Sequence, residues 1–226
     1  MRPLSLPALL AALLLLVTAP ASALIIDSFD DGAFVSADSG TPTDSTTTGA
    51  GSFLGTNREV EATWGSGPNG VDADIDPGGG SLLSISFGPD TSGDVSVLWQ
   101  NIGGVDLTLG ATLNAIALEI LFDDLPASIS IIVTDGNSNA GSSTTVTPGG
   151  IFVPTQTALL FSSFSGSVDF TDIESIQLIV DPFFPATDLQ IGIIESAFVV
   201  PEPTTAVLLG LGLTGLAMQR GRSRAA

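Results

Sequence analysis

The chain has 226 residues, 24 of them acidic and five basic, and it contains no histidine, lysine or cysteine. Disulfides and thiolate metal sites are thereby closed, and so are the commonest general base, the usual zinc ligands and any Schiff-base nucleophile. Between Leu24 and Val200, 23 acidic residues stand against one basic residue, Arg58, a formal charge of −22; nucleic acid is excluded as a partner, because binding it rests on cationic neutralisation of phosphates.

The chain opens on Arg2, an apolar run from Ala8 to Val17, and then Ala21-Ser22-Ala23, with small residues at both positions a signal peptidase reads. This order predicts a secretory signal helix over 1–23, cleaved after Ala23. The apolar run is too short to cross about 30 Å of hydrocarbon as a retained anchor.

From residue 24 to 200 the sequence reads as one domain of short strands separated by Gly, Pro, Asp, Asn and Ser clusters. Leu24 to Phe29 is a first strand, and Asp30-Asp31-Gly32 turns it. Residues 36–52 are nearly all Ser, Thr, Gly, Asp and Pro, which cannot bury themselves, and they predict a flexible loop. From Glu59 to Trp64 the residues Val60, Ala62 and Trp64 alternate with Glu59, Glu61 and Thr63, the pattern of a half-buried antiparallel strand. Val71 to Asp76 repeats it. Leu83, Ile85 and Phe87, a Pro89 to Gly93 turn, then Val95, Val97 and Trp99 read as a hairpin.

Further strands are expected at Ala115 to Phe122, Ile129 to Thr134, Ser143 to Thr147, Ala158 to Phe161, Ile176 to Val180 and Leu189 to Val199. Asp135-Gly136-Asn137 is a turn between two of them. About ten strands, with no amphipathic helix and no repeat, predict an all-β fold: a two-sheet antiparallel β-sandwich of jelly-roll type.

The end of the chain carries three elements in fixed order: Pro201-Glu202-Pro203, an uncharged run from Ala206 to Met218, and Arg220, Arg222 and Arg224. The prolines set φ and remove backbone donors, so the tripeptide is an extended, accessible spacer. A transmembrane helix over about 204–219 is about 22 Å long at about 1.5 Å per residue, marginal for a permanent anchor. Gly210, Gly212 and Gly215 weaken it further. The arginines draw its far end to the cytoplasmic side and leave the domain outside, a transient single-pass insertion.

This tail, residues 201–226, resembles the PEP-CTERM sorting segment of Gram-negative bacteria. The resemblance implies delivery by an exosortase, which cuts near the Pro-Glu-Pro motif and sends its substrate to the cell surface or the exopolysaccharide matrix. It names a route and leaves the cargo's activity open. Within the cargo, the Ile26-Asp27-Ser28-Phe29-Asp30-Asp31 opening, the strand around Arg58-Glu59-Val60-Glu61, and the closing Asp169 to Ile176 and Ile191 to Glu195 resemble galactose-binding-like sandwiches found ahead of such tails. That likeness implies first and last strands side by side, with a structural Ca²⁺ held by Asp30, Asp31 and Glu195.

A second carboxylate set, Asp72, Asp74 and Asp76, stands at strand spacing on one face, where it could hold Ca²⁺ or simply meet solvent. An EF-hand is excluded: Pro77 stands where the loop needs glycine, and Leu83 where it needs glutamate. Glycoside hydrolysis needs two carboxylates facing each other across a sugar, and nothing selects a pair from Glu119, Asp123, Asp124 and the rest. Trp64 and Trp99 lie on the apolar phase of their strands and belong to the core. Phe183-Phe184, flanked by Pro182 and Pro185, is a candidate ligand contact between strands.

The resulting expectation is an exported, non-catalytic protein of the surface or matrix. Its partners are signal peptidase, an exosortase-type enzyme and exopolysaccharide, with Ca²⁺ as a candidate ion. The alternatives are a carboxylate-dependent enzyme acting on polysaccharide and a cation-dependent adhesin.

Overall fold

The computed structural model describes residues 23–199. The rest of the signal segment with Ala21, the Pro201, Glu202 and Pro203 motif, the 204–219 helix and Arg220, Arg222 and Arg224 lie outside the described residues. No helix among the described residues is long and apolar enough to cross a membrane.

Thirteen strands follow one another: β1 (Leu24–Asp27), β2 (Ala33–Ala37), β3 (Thr43–Thr48), β4 (Asn57–Ser66), β5 (Val71–Ile75), β6 (Leu83–Phe87), β7 (Ser92–Gln100), β8 (Ala115–Asp123), β9 (Ala127–Asp135), β10 (Ala140–Val146), β11 (Thr155–Leu160), β12 (Ile173–Pro182) and β13 (Asp188–Ala197). Among the described residues one 3-10 turn, Phe161–Ser163, interrupts them. One sheet has the order β11-β8-β13-β6-β5-β2, and β1 adds to the half of β13 that β6 leaves free. The other has the order β10-β9-β12-β7-β4-β3. Every pairing is antiparallel, and the two sheets form the expected sandwich, with six of the connections crossing between them at one pole.

The core follows from alternation. Val71, Ala73 and Ile75 of β5, and Leu83, Ile85 and Phe87 of β6, point inward from one sheet. They meet Val60 and Ala62 of β4, and Val95, Val97 and Trp99 of β7, from the other. Each strand sends alternate side chains to the interior and leaves its Ser, Thr, Asp and Glu residues outside. Trp99 is wholly buried and Trp64 packs against the same core, as their phase implied.

Two expectations need correction. β6 and β7 do not form a hairpin: they lie in different sheets, and residues 88–91 carry the chain across the sandwich. Two apolar stripes that face each other across a core have the same alternation as two that lie side by side, so the pattern could not separate the cases. The span 36–52 is not a continuous loop. It holds the end of β2 and all of β3, whose six residues pair with β4 in register from Thr43↔Thr63 to Thr48↔Arg58. β3 has no apolar residue because it is the outermost strand of its sheet and owes its order to one hydrogen-bonded neighbour.

The Asp135 turn is as expected. Its Oδ1 accepts the N–H groups of Asn137 and Asn139, both at 2.9 Å, and closes the β9–β10 hairpin.

Candidate functional site

The strongest polar constellation is buried. Asp27, at the end of β1, and Arg58, at the start of β4, are both inaccessible to solvent. Arg58 Nη1 lies 2.9 Å from Asp27 Oδ2 and 3.2 Å from Oδ1. Trp99 Nε1 donates to the same Oδ2 at 2.8 Å, and the Phe29 N–H donates to Oδ1 at 2.7 Å. Arg58 Nη2 donates to the Asp31 carbonyl, and its guanidinium stands 4.9 Å from the centre of the Phe53 ring. Burial pushes the Asp27 carboxyl above its ordinary value, while Arg58 and the N–H donors of Phe29 and Trp99 act in the opposite direction. With its charge balanced and every approach closed, this junction ties β1 of one sheet to β4 and β7 of the other. It is a fastening and offers nothing to a ligand.

The first Ca²⁺ set does not come together. β1 and β13 do lie side by side, as the galactose-binding-like resemblance implied, but Glu195 is opposite Ile25 and is approached by Gln156 Nε2 at 3.4 Å. Asp30 accepts from Ser28 Oγ at 2.7 Å, and Asp31 accepts from the backbone and hydroxyl of Ser52. In the second set Asp72 and Asp74 share the outer face of β5, but Asp76 sits in the following turn at φ 58° and accepts the Ser81 N–H. Among the described residues no three acidic side chains gather in a group able to hold a metal. Neither set fits Ca²⁺ in this arrangement.

The carboxylates considered for hydrolysis are no better placed. Asp123 is buried, with Oδ2 accepting the Gly149 N–H at 3.2 Å and Oδ1 unpartnered. Asp124 Oδ1 accepts the Asp188 N–H at 2.8 Å. Glu119 is on the outer face of β8. Asp123 cannot reach a substrate, so the adjacent acids do not form a working pair.

What the topology does assemble is a row across the outer face of the seven-stranded sheet. Phe34 of β2 is opposite Asp74 of β5, Asp74 is opposite Ser84 of β6, Ser84 is opposite Gln190 of β13, and Gln190 is opposite Phe122 of β8. Phe152 closes the row edge-on to Phe122, with ring centres 5.6 Å apart. Phe34 is 61% exposed and Phe152 71% exposed. Four inter-strand steps of about 4.8 Å put Phe34 and Phe122 about 19 Å apart. A parallel row, Ser36, Asp72, Ser86 and Asp188, runs beside it. Aromatic rings at both ends with hydroxyl, amide and carboxylate groups between them suit a long, flat, hydroxyl-rich ligand: apolar faces stack on the rings and polar edges find partners in the middle.

Phe183 and Phe184 are 54% and 53% exposed, as a ligand contact requires, but they lie off this row in the turn between β12 and β13, at the pole where the connections cross. Their pairing signal was visible in the sequence. The row was not, because its strand order is unrelated to chain order.

No family model matches the chain, and no curated protein matches it. Solved structures resemble it in fold. The family 11 carbohydrate-binding module of the cellulosomal cellulase Lic26A-Cel5E of Clostridium thermocellum is 13% identical over 81% of this chain and 99% of its own, with a TM-score of 0.41. A CBM29-2 mutant complexed with mannohexaose is 12% identical over 79% and 93%, with a TM-score of 0.36. The agarase AgWH50C is 13% identical over 63% of this chain, which spans 23% of the enzyme, with a TM-score of 0.40.

Proposed function

We propose that this protein is an exported, non-catalytic polysaccharide-binding protein of the cell surface or extracellular matrix. The observation that carries the reading is the Phe34 to Phe152 row, an exposed ledge of aromatic ends and polar centre on one face of the sandwich. Such a ledge is open along its length, so a polymer can lie across it without a free end. The burial of Asp123, which leaves the adjacent acids without a working partner, favours binding over hydrolysis. Phe183 and Phe184 are a secondary contact at the crossing pole.

Delivery in this reading uses the signal segment, cleaved after Ala23, and the Pro201-Glu202-Pro203 tail, cut by an exosortase-type enzyme after transient membrane insertion. Ca²⁺ is not needed for it. Mass spectrometry of the protein recovered from its host tests the route: loss of residues 1–23 and of the chain beyond the motif is expected, and an intact C-terminus sinks the sorting half of the proposal. Binding to a panel of polysaccharides tests the other half. Retention by at least one, weakened by Phe34→Ala, is expected; no retention by any removes the binding function.

A further inference from the structure

The ledge also carries information about the charge of what it binds. Arg58 is the one cationic side chain among the described residues, and it is wholly buried and engaged by Asp27. The described surface therefore presents carboxylates and no positive side chain at all. On the outer face of the seven-stranded sheet, Asp74 lies on the row, Asp72 and Asp188 lie on the row beside it, and Glu195 lies on β13 towards β1.

A polysaccharide bearing uronate, sulfate or phosphate groups meets like charge along its whole length on this face, which costs affinity at every contact. A neutral glycan meets no such repulsion but gains nothing from the charge. An amine-bearing glycan is complementary. The local arrangement is suited to it: Asp74 is directly opposite Phe34 in the sheet, so a pyranose stacked on the Phe34 ring brings a ring substituent towards the carboxylate. A protonated amine there gains a charge-assisted hydrogen bond and lies close to an aromatic face.

We infer that the ledge selects a polysaccharide of hexosamine units with free amino groups, with Phe34 as the stacking platform and Asp74 as the partner of the amine. This rests on the polysaccharide-binding reading and narrows it to one chemical class. Burial first, then the neighbouring Asp76, raises the Asp74 carboxyl above its ordinary value, and among the described residues no cation compensates its charge. A bound ammonium supplies one.

The test is equilibrium binding of the processed protein, by calorimetry at about pH 6, where carboxylates are ionised. The probes are a glucosamine oligosaccharide, the N-acetylated oligosaccharide of the same length, and an oligouronate. The glucosamine probe is expected to bind about tenfold more tightly than the N-acetylated one, a difference that added salt reduces. The oligouronate is expected not to bind. Asp74→Asn removes most of the preference, lowering the glucosamine affinity more than the N-acetylated affinity, whereas Phe34→Ala weakens both to a similar extent. Equal or tighter binding of the N-acetylated probe overturns the amine selectivity while leaving polysaccharide binding standing. If all three probes and the wider polysaccharide panel fail, the parent reading falls as well. If Phe34→Ala leaves the glucosamine affinity unchanged, the attraction is diffuse charge and the ledge is not the site. Both substitutions are on the exposed face, and an unchanged circular dichroism spectrum verifies the fold.

Discussion

Asp27 and Asp74 are both strand aspartates, and the fold treats them in opposite ways. Asp27 is closed inside the sandwich with the only cation of the domain, held by Arg58, Trp99 and the Phe29 N–H. Asp74 is on the outer face, between Phe34 and Ser84, with no cationic side chain near it among the described residues. The first carboxylate is spent on joining two sheets, the second is left for something outside the molecule. Whether a polar group serves stability or recognition is decided here by where its balancing charge comes from.

That contrast breaks most visibly at the buried end. Asp27→Ala leaves Arg58 buried and unpaired, and removing one partner of a buried ion pair costs about 3–5 kcal/mol. Urea denaturation of the variant is expected to show a loss of that size. The double variant Asp27→Ala with Arg58→Met is expected to recover much of it, since no charge is then stranded. A single variant as stable as the parent means that the junction is not the fastening described.

On the face the signs reverse. Phe152→Ala is expected to change stability by less than about 0.5 kcal/mol, because the ring is mostly in solvent, while weakening polysaccharide binding about tenfold, about 1.4 kcal/mol. Parallel measurement of urea midpoint and affinity separates the two roles; a variant that loses both together places Phe152 in the core instead.

The buried end was partly legible in the sequence, and the face was not. Alternation in Leu83-Ile85-Phe87 and Val95-Val97-Trp99 located strands and assigned Trp99 to the core. The same alternation, read one step further back from Val60 and Ala62, puts Arg58 on the buried phase. A lone arginine there, in a domain of 23 acids, signals a buried partner. Its identity was hidden, because Asp27 is 31 residues away and meets it only when the sheets close. The ledge depends on the order β2-β5-β6-β13-β8, which no local pattern encodes, and Phe34 lies in a strand that was not expected. β3 was missed for a different reason: its order comes from pairing with β4, while its own residues, all polar, look like those of a loop.

Asn114 is an intermediate case, a neutral side chain that does structural work near the surface. Its Nδ2 donates to the Val199 carbonyl and its Oδ1 accepts the Val199 N–H, both at 2.8 Å, so one amide pairs with the backbone as a neighbouring strand does. Asn114→Ala is expected to cost about 1 kcal/mol, confined to the end of the last strand. Hydrogen exchange reports it: the Val199 amide loses protection while those of β12 keep theirs, and unchanged protection at Val199 removes the clamp.

The smallest effect concerns a third kind of aspartate, one set beside another aspartate. Asp94 of β7 is partly buried near Asp181 of β12, and burial first, then the Asp181 charge, raises its carboxyl above the ordinary value. An acid raised in the folded state binds its proton more readily folded than unfolded. Its contribution to stability is therefore present below the unfolded pKa and is lost as pH rises through the folded one. At neutral pH the pair is a small liability. Asp181→Asn is expected to stabilise the protein by a few tenths of a kcal/mol near pH 7, the scale for like charges on adjacent strands in partial solvent. At a pH low enough to protonate both acids it is expected to change nothing. Urea midpoints at the two pH values measure the difference, and a gain equal at both ends shows that the effect is not electrostatic. Salt distinguishes this pair from the ledge as well: screening stabilises Asp94 beside Asp181, whereas it weakens an amine held by Asp74.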